Sequence, residues 1–197
     1  MKNKFPCIMK TLAVLTTLTA AILTALFCCL RQDWLLTLAI SFGTTAYHFV
    51  MRLLVGYIVP RVTNYGFDYH APWFQPQSWE PSFYKRIGIK NWKKNLPTYA
   101  PGQFSLADNT LHRILQNMCG AEVVHEVIML LSFLPLLTIP VFGSPGVFLI
   151  TSVMAAGFDG IFVMAQRYNR PRLIYIMEKQ RAKAPLCKGS CKKSTCF

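Results

Sequence analysis

The sequence predicts an all-α integral membrane protein of about four transmembrane helices, with a long cytoplasmic interfacial loop and a C-terminal amphipathic helix. Three observations carry that prediction. The 197 residues are 53% hydrophobic with a mean hydropathy of +0.32, too apolar for an ordinary soluble domain. The apolar residues gather into four runs, each close to the length that crosses a bilayer. If those runs are spans, 19 of the 21 lysines and arginines fall on one side. The net charge of +13 does not point to nucleic acid, because the basic residues flank apolar runs instead of forming a solvated basic domain.

The first run, 11–30, is uncharged and rich in Leu, Ala and Thr. It lacks a small-residue cleavage pattern and is long enough to span, so it reads as a retained helix and not a signal peptide. Arg31, Gln32 and Asp33 make a minimal turn. The second run, 34–59, is interrupted only by His48 and Arg52, and Pro60 is expected to end it. The third and fourth runs, 122–142 and 146–165, are joined by Gly143, Ser144 and Pro145, residue types of a tight turn.

Between the second and third runs, 61–116 is too long for a simple connector. Its first part, from Tyr65 to Phe74, is aromatic and rich in breakers, a composition suited to the headgroup layer. Its second part mixes Phe83, Tyr84, Ile87, Ile89 and Trp92 with Lys85, Arg86, Lys90, Lys93 and Lys94, which reads as a segment lying on anionic lipid. Residues 168–183 pair apolar with basic residues as a surface helix, and 184–197 reads as a disordered basic tail. The expectation is therefore one membrane domain over 1–183. The lysines and arginines number 3 before the first run, 7 in the central loop and 9 from Arg167 onward, which predicts cytoplasmic termini and a cytoplasmic loop. Of the seven cysteines, Cys7, Cys28, Cys29 and Cys119 lie in or beside apolar segments, which excludes a secreted disulfide scaffold. Cys187, Cys191 and Cys196 lack the paired spacing of a zinc site.

The polar residues inside the runs point to a site. Glu122 and His125 share one helix face at the head of an uncharged stretch, where ionisable groups are costly and usually functional. By helical rise, Arg52 lies about 12 Å inside Pro60, His48 one turn deeper on the same face, and Asp159 about 10 Å inside Gln166. Three helices thus bring ionisable groups to one depth, where turning toward one another around a cavity is cheaper than facing lipid. Simple mutual pairing, Arg52 with Asp159 or Glu122 and His48 with a backbone carbonyl, is the bland alternative; Glu126 reads best as snorkelling to the interface. A Glu-x-x-His turn can also ligate a metal, but bundle sites of that kind need two such motifs and more carboxylates, and there are only four histidines. Acid–base work needs less. A histidine held by a carboxylate can take the proton of a hydroxyl that attacks an activated acyl group, and an Arg/Lys cluster can hold a donor's phosphates.

Three segments carry a resemblance. The string Gln166-Arg167-Tyr168-Asn169-Arg170-Pro171-Arg172-Leu173, the turn Ala121-Glu122-Val123-Val124-His125, and the segment from Phe83 to Lys93 resemble the glycosyl-4,4'-diaponeurosporenoate acyltransferases. The resemblance runs in the same order from about Trp34 to Lys183. It implies a multi-pass enzyme of a bacterial-type cell membrane that places a fatty acyl chain on the sugar hydroxyl of a glycosylated carotenoid acid. Glu122 and His125 match the family's turn, Trp92 and Lys93 its Trp-Lys pair, Glu80 an acidic residue upstream, and Asp159 stands where the family commonly has Asn. Gly120 and Glu126 replace the family's Arg and Trp on either side of the turn, so the acceptor is read broadly as a glycolipid or glycosylated isoprenoid.

The expectation is then acyl transfer from an acyl-CoA or acyl-carrier-protein donor to a lipid-linked or glycosylated hydroxyl at the inner leaflet, with no cofactor, no metal and no nucleic-acid partner. His125 is expected as general base and Glu122 as its orienting partner. His48, Arg52 and Asp159 would line the cavity. Glu80, Trp92, Lys93, Gln166, Arg167, Tyr168, Asn169, Arg170 and Arg172 would bind substrate, the arginines through donor phosphates or sugar. Two other readings compete: a metal-dependent membrane enzyme using Glu122, His125 and His48, and a non-catalytic lipid-binding membrane protein.

Overall fold

The computed structural model describes residues 4–64 and 66–183, and every regular element among them is helical. Tyr65 and the tail expected over 184–197 lie outside the described residues. Helix α1 (Phe5–Leu30) opens with proline in its first turn and stops where Arg31 turns left-handed, its amide bonding back to the Phe27 carbonyl. It lies along α2 and buries only Ala13. Most of its large apolar side chains are bare, as at Leu18 and Ile22, 56% and 60% exposed, a surface suited to lipid.

Helix α2 (Asp33–Thr63) differs from expectation at its end. It runs past Pro60 and stops at Asn64, in the left-handed conformation at φ 47°. Proline removes one hydrogen bond, to the Gly56 carbonyl, and near the end of a helix that loss is too small to stop it. The loop that follows folds into short pieces: a 3-10 turn (Pro72–Phe74), α3 (Glu80–Arg86) and α4 (Ile89–Trp92). Gly88, at φ 62°, makes the corner between α3 and α4, and the Trp92 indole N–H closes it on the Ile87 carbonyl at 3.1 Å.

Helix α5 (Leu111–Leu131) starts eleven residues before the expected span, with the Thr110 hydroxyl capping the Arg113 amide. Its end has a clear cause. Leu131 would pass its carbonyl to residue 135, but that residue is proline and has no N–H. The Tyr47 hydroxyl of α2 donates instead, at 2.8 Å. The chain continues as a 3-10 turn (Leu134–Thr138) and α6 (Ile139–Phe142), so the third span is broken. Tyr47→Phe orphans that carbonyl and is expected to cost about 1–3 kcal/mol, read as a fall in Tm in detergent micelles; an unchanged Tm contradicts this account.

The turn at Gly143 and Ser144 leads into α7 (Pro145–Lys183), 39 residues long. This corrects the expectation of a separate surface helix over 168–183: no glycine or proline stands between the expected span end at Ala165 and Tyr168, and the helix runs on past Pro171. That segment is also docked and not merely lying on a surface. Met177 is buried with Tyr69, Phe74, Ile114, Leu115, Met118 and Cys119, a core shared by α5, α7 and the central loop. Four helical segments, Phe5–Leu30, Asp33–Thr63, Leu111–Phe142 and Pro145–Ala182, are long and apolar enough to cross a membrane.

Candidate active site

The polar residues of the bundle form two groups, spaced along α7. The deeper one centres on Asp159, which is 1% exposed. Its Oδ2 accepts from Arg52 Nε at 3.0 Å and Nη2 at 2.5 Å, while its Oδ1 accepts from His125 Nδ1 at 2.8 Å. Arg52 also donates to the carbonyls of His48 and Ala155. Each side chain comes from a different helix: Arg52 from α2, His125 from α5 and Asp159 from α7. The charge pair explains how a carboxylate survives there, because the guanidinium neutralises it within an apolar bundle.

The geometry also orients the imidazole. A carboxylate can only accept, so Nδ1 carries the hydrogen, and in the neutral ring Nε2 then keeps a lone pair for another partner. Phe162, one turn beyond Asp159 on α7, stacks on the ring at 4.7 Å and 9° and holds its plane. His125 retains 23% side-chain exposure, whereas Asp159 retains 2%. His48 is buried beside this group, and neither of its ring nitrogens has a partner. This differs from the expected carbonyl bond; it is the backbone carbonyl of His48 that Arg52 uses.

The second group lies about 12 Å further along α7 and joins the bundle to the central loop. Arg167 donates to Glu80 Oε1 through Nε at 3.0 Å and Nη2 at 2.7 Å, to Glu122 Oε1 at 2.7 Å, and to the carbonyls of Trp73 and Gln75 at 3.0 and 2.9 Å. These bonds use all five of its N–H groups. Arg170, fully buried, pairs with Glu122 Oε2, donates to the Phe74 carbonyl at 2.6 Å and lies over the Phe74 ring. Glu80 completes the clamp by accepting from the Gln77 amide and the Tyr84 hydroxyl.

Two expectations change here. Glu122 is not the partner of His125. The two residues are about 60° apart around α5, so Glu122 meets the arginines of α7 while His125 meets Asp159. Arg167 and Arg170 are not open phosphate ligands either: carboxylates and loop carbonyls occupy the donors of Arg167, and Arg170 is fully buried. Among the described residues, no group of three or more His, Cys, Asp or Glu side chains is placed to hold a metal ion, and the Glu122 carboxylate is engaged by both guanidiniums. Glu126 accepts from the Trp73 indole at 3.0 Å, a second tie to the loop. Trp92 serves the corner described above. Lys93 contacts Asn169 and lies 4.4 Å from the Tyr168 ring. Gln166 is half-buried and Arg172 is exposed.

Phe162 and the loop carbonyls were not singled out from the sequence. Phe162 follows Asp159 by three residues and so shares its face, a legible signal. The carbonyls carry none, because every residue type has one.

The clamp is sensitive to acid. Burial alone would raise the Glu80 carboxyl, but hydrogen bonds from Arg167, the Gln77 amide and Tyr84 outweigh it and hold the group below the ordinary carboxylate range. Burial and the same bond to Glu80 push the Tyr84 phenol up to about 12. Since the folded-state value for Glu80 is depressed, its contribution is present above the ordinary range, about 4, and is lost as pH falls through the depressed value. An acid titration followed by tryptophan fluorescence is expected to show loop release. Glu80→Gln should remove that transition, and a transition unchanged by Glu80→Gln contradicts the assignment.

These features define a class: a four-span helical protein with a histidine–carboxylate pair inside its bundle and a loop clamped over one end. The chain belongs to the glycosyl-4,4'-diaponeurosporenoate acyltransferase family, whose model matches residues 70–179. The match takes in His125, Asp159, Glu80, Glu122, Arg167 and Arg170. No curated protein and no solved structure matches the chain.

Proposed function

We propose that this protein transfers a fatty acyl group from a thioester donor to a hydroxyl of a glycolipid or glycosylated isoprenoid, carotenoid-type acceptor. The observation that carries the reading is the 2.8 Å bond between His125 Nδ1 and Asp159 Oδ1, which leaves Nε2 as a base within an acyltransferase family fold. His125 Nε2 takes the acceptor hydroxyl proton as the oxygen attacks the thioester carbonyl. The new C–O bond forms, the C–S bond breaks, and the thiolate takes the proton from His125, so no cofactor is required. Asp159 stabilises the imidazolium that forms in between, and Arg52 holds Asp159 in place; both are positioning residues. Among the described residues, one N–H of Arg52 Nη1 and the ring nitrogens of His48 stand near the pair without a partner.

The charge distribution supports the cytoplasmic leaflet of the cell membrane as the site of reaction, with both termini cytoplasmic. Comparative lipid mass spectrometry of cells with and without the gene tests the reading. The deletion is expected to accumulate a glycolipid lighter than its normal counterpart by one acyl chain. Identical lipid profiles would overturn acyl transfer and favour a non-catalytic lipid-binding role.

A further inference from the structure

A groove of about 550 Å³ opens between the α3–α4 corner and α7, beyond the clamp as seen from His125. Its walls include Tyr84, Lys85, Lys90, Asn91, Arg167 and Tyr168. The two tyrosines meet edge to face at 5.8 Å. Arg167 and the Glu80 carboxylate neutralise one another in the floor, so the groove's net charge comes from Lys85 and Lys90, both exposed at the rim. Lys93 stands next to it, braced on Tyr168 and Asn169. Burial and the nearby charges of Arg172 and Lys90 hold the Lys93 ammonium below its ordinary range, as expected where cations crowd without an anion.

The geometry points to this groove as the seat of the phosphorylated nucleotide head of a coenzyme A-type acyl donor, an inference that rests on the acyl-transfer reading. Three features favour that occupant. The volume lies within the range of small-molecule sites and is concave, unlike the flat surface on which a carrier protein docks. The rim lysines supply point charges for phosphates, and the half-buried Tyr168 lines the wall beside them. The distance also fits. From Tyr168 and Pro171 back to Phe162 is about 9 to 14 Å along α7, a gap for the donor's extended arm to cross while its thioester reaches His125.

Calorimetric titration with coenzyme A itself, in zwitterionic lipid nanodiscs, tests the site without turnover. Wild type and His125→Ala are expected to bind alike. Lys85→Glu with Lys90→Glu should weaken binding by about tenfold or more. Arg86→Glu with Lys94→Glu, the same charge change on exposed residues outside the groove, should leave it within about twofold. Equal loss in both pairs would reduce the effect to general attraction and overturn the proposal. So would binding displaced by phosphatidylglycerol, or saturation by an acyl carrier protein where coenzyme A does not bind. Acylated lipid made without coenzyme A binding sinks this inference and leaves acyl transfer standing. Saturable coenzyme A binding by a protein that makes no acylated lipid does the reverse.

Discussion

His125→Ala is expected to lower the rate of acyl transfer by about 10²–10⁴-fold, the range lost when a positioned general base is removed. The protein should remain folded, because the side chain is 23% exposed and its removal breaks one hydrogen bond to a carboxylate that keeps its guanidinium. Purified enzyme with a thioester donor and a glycosylated acceptor reads the effect directly. Retention of more than about a tenth of the wild-type rate would remove His125 from the chemistry. Asp159 needs a different design, since Asp159→Asn alone leaves the Arg52 charge buried and unpaired, a change costly to the fold itself. Replacing the pair as Asp159→Asn with Arg52→Met removes both charges together. The expected result is an intact protein with low kcat and nearly unchanged KM for both substrates, as when an interaction made only in the transition state is lost. A change confined to KM would assign the pair to substrate binding instead.

The helical spans were legible because lipid imposes a simple rule on them: length and apolarity. The depth of Arg52 and Asp159 was legible for the same reason, since rise per residue converts sequence position into height. Rotation was not. Glu122 and His125 look like partners when written in a line, but which neighbouring helix each meets depends on an angle that spacing alone does not reveal. The string from Gln166 to Leu173 marked the right helix turn, yet its arginines hold a loop in place where a phosphate role was expected. The ligands that show this are backbone carbonyls at Trp73, Phe74 and Gln75, which have no signature in the residue types. The continuity of α7 and the persistence of α2 beyond Pro60 show a related limit. Pro60 lies near a helix end and Pro171 well inside one, and at each the helix continues despite the bond that proline removes.

Glu122→Ala is expected to be the most damaging substitution for stability. Glu122 is fully buried and joins both guanidiniums, so its loss strands Arg170 without its carboxylate partner in the interior. Breaking a buried pair from one side costs about 3–5 kcal/mol, which for a chain of this size corresponds to a fall in Tm on the order of 10 °C. The loop should detach with it, because Arg167 and Arg170 hold the carbonyls of Trp73, Phe74 and Gln75 only while the carboxylates fix the guanidiniums. Fluorescence of Trp73 and Trp79 during thermal unfolding, together with protease cleavage between residues 66 and 80, reports both effects. Glu122→Ala combined with Arg170→Met removes the stranded charge and is expected to recover part of the lost Tm, giving a coupling of opposite sign to simple addition. A Glu122→Ala protein with wild-type Tm, or a double variant worse than the sum of its parts, would refute the clamp. Recovery of Tm without recovery of acyl transfer, by contrast, is the expected outcome: the double variant also lacks the Arg170 bond to the Phe74 carbonyl, so fold energy returns while the loop is not fully reseated.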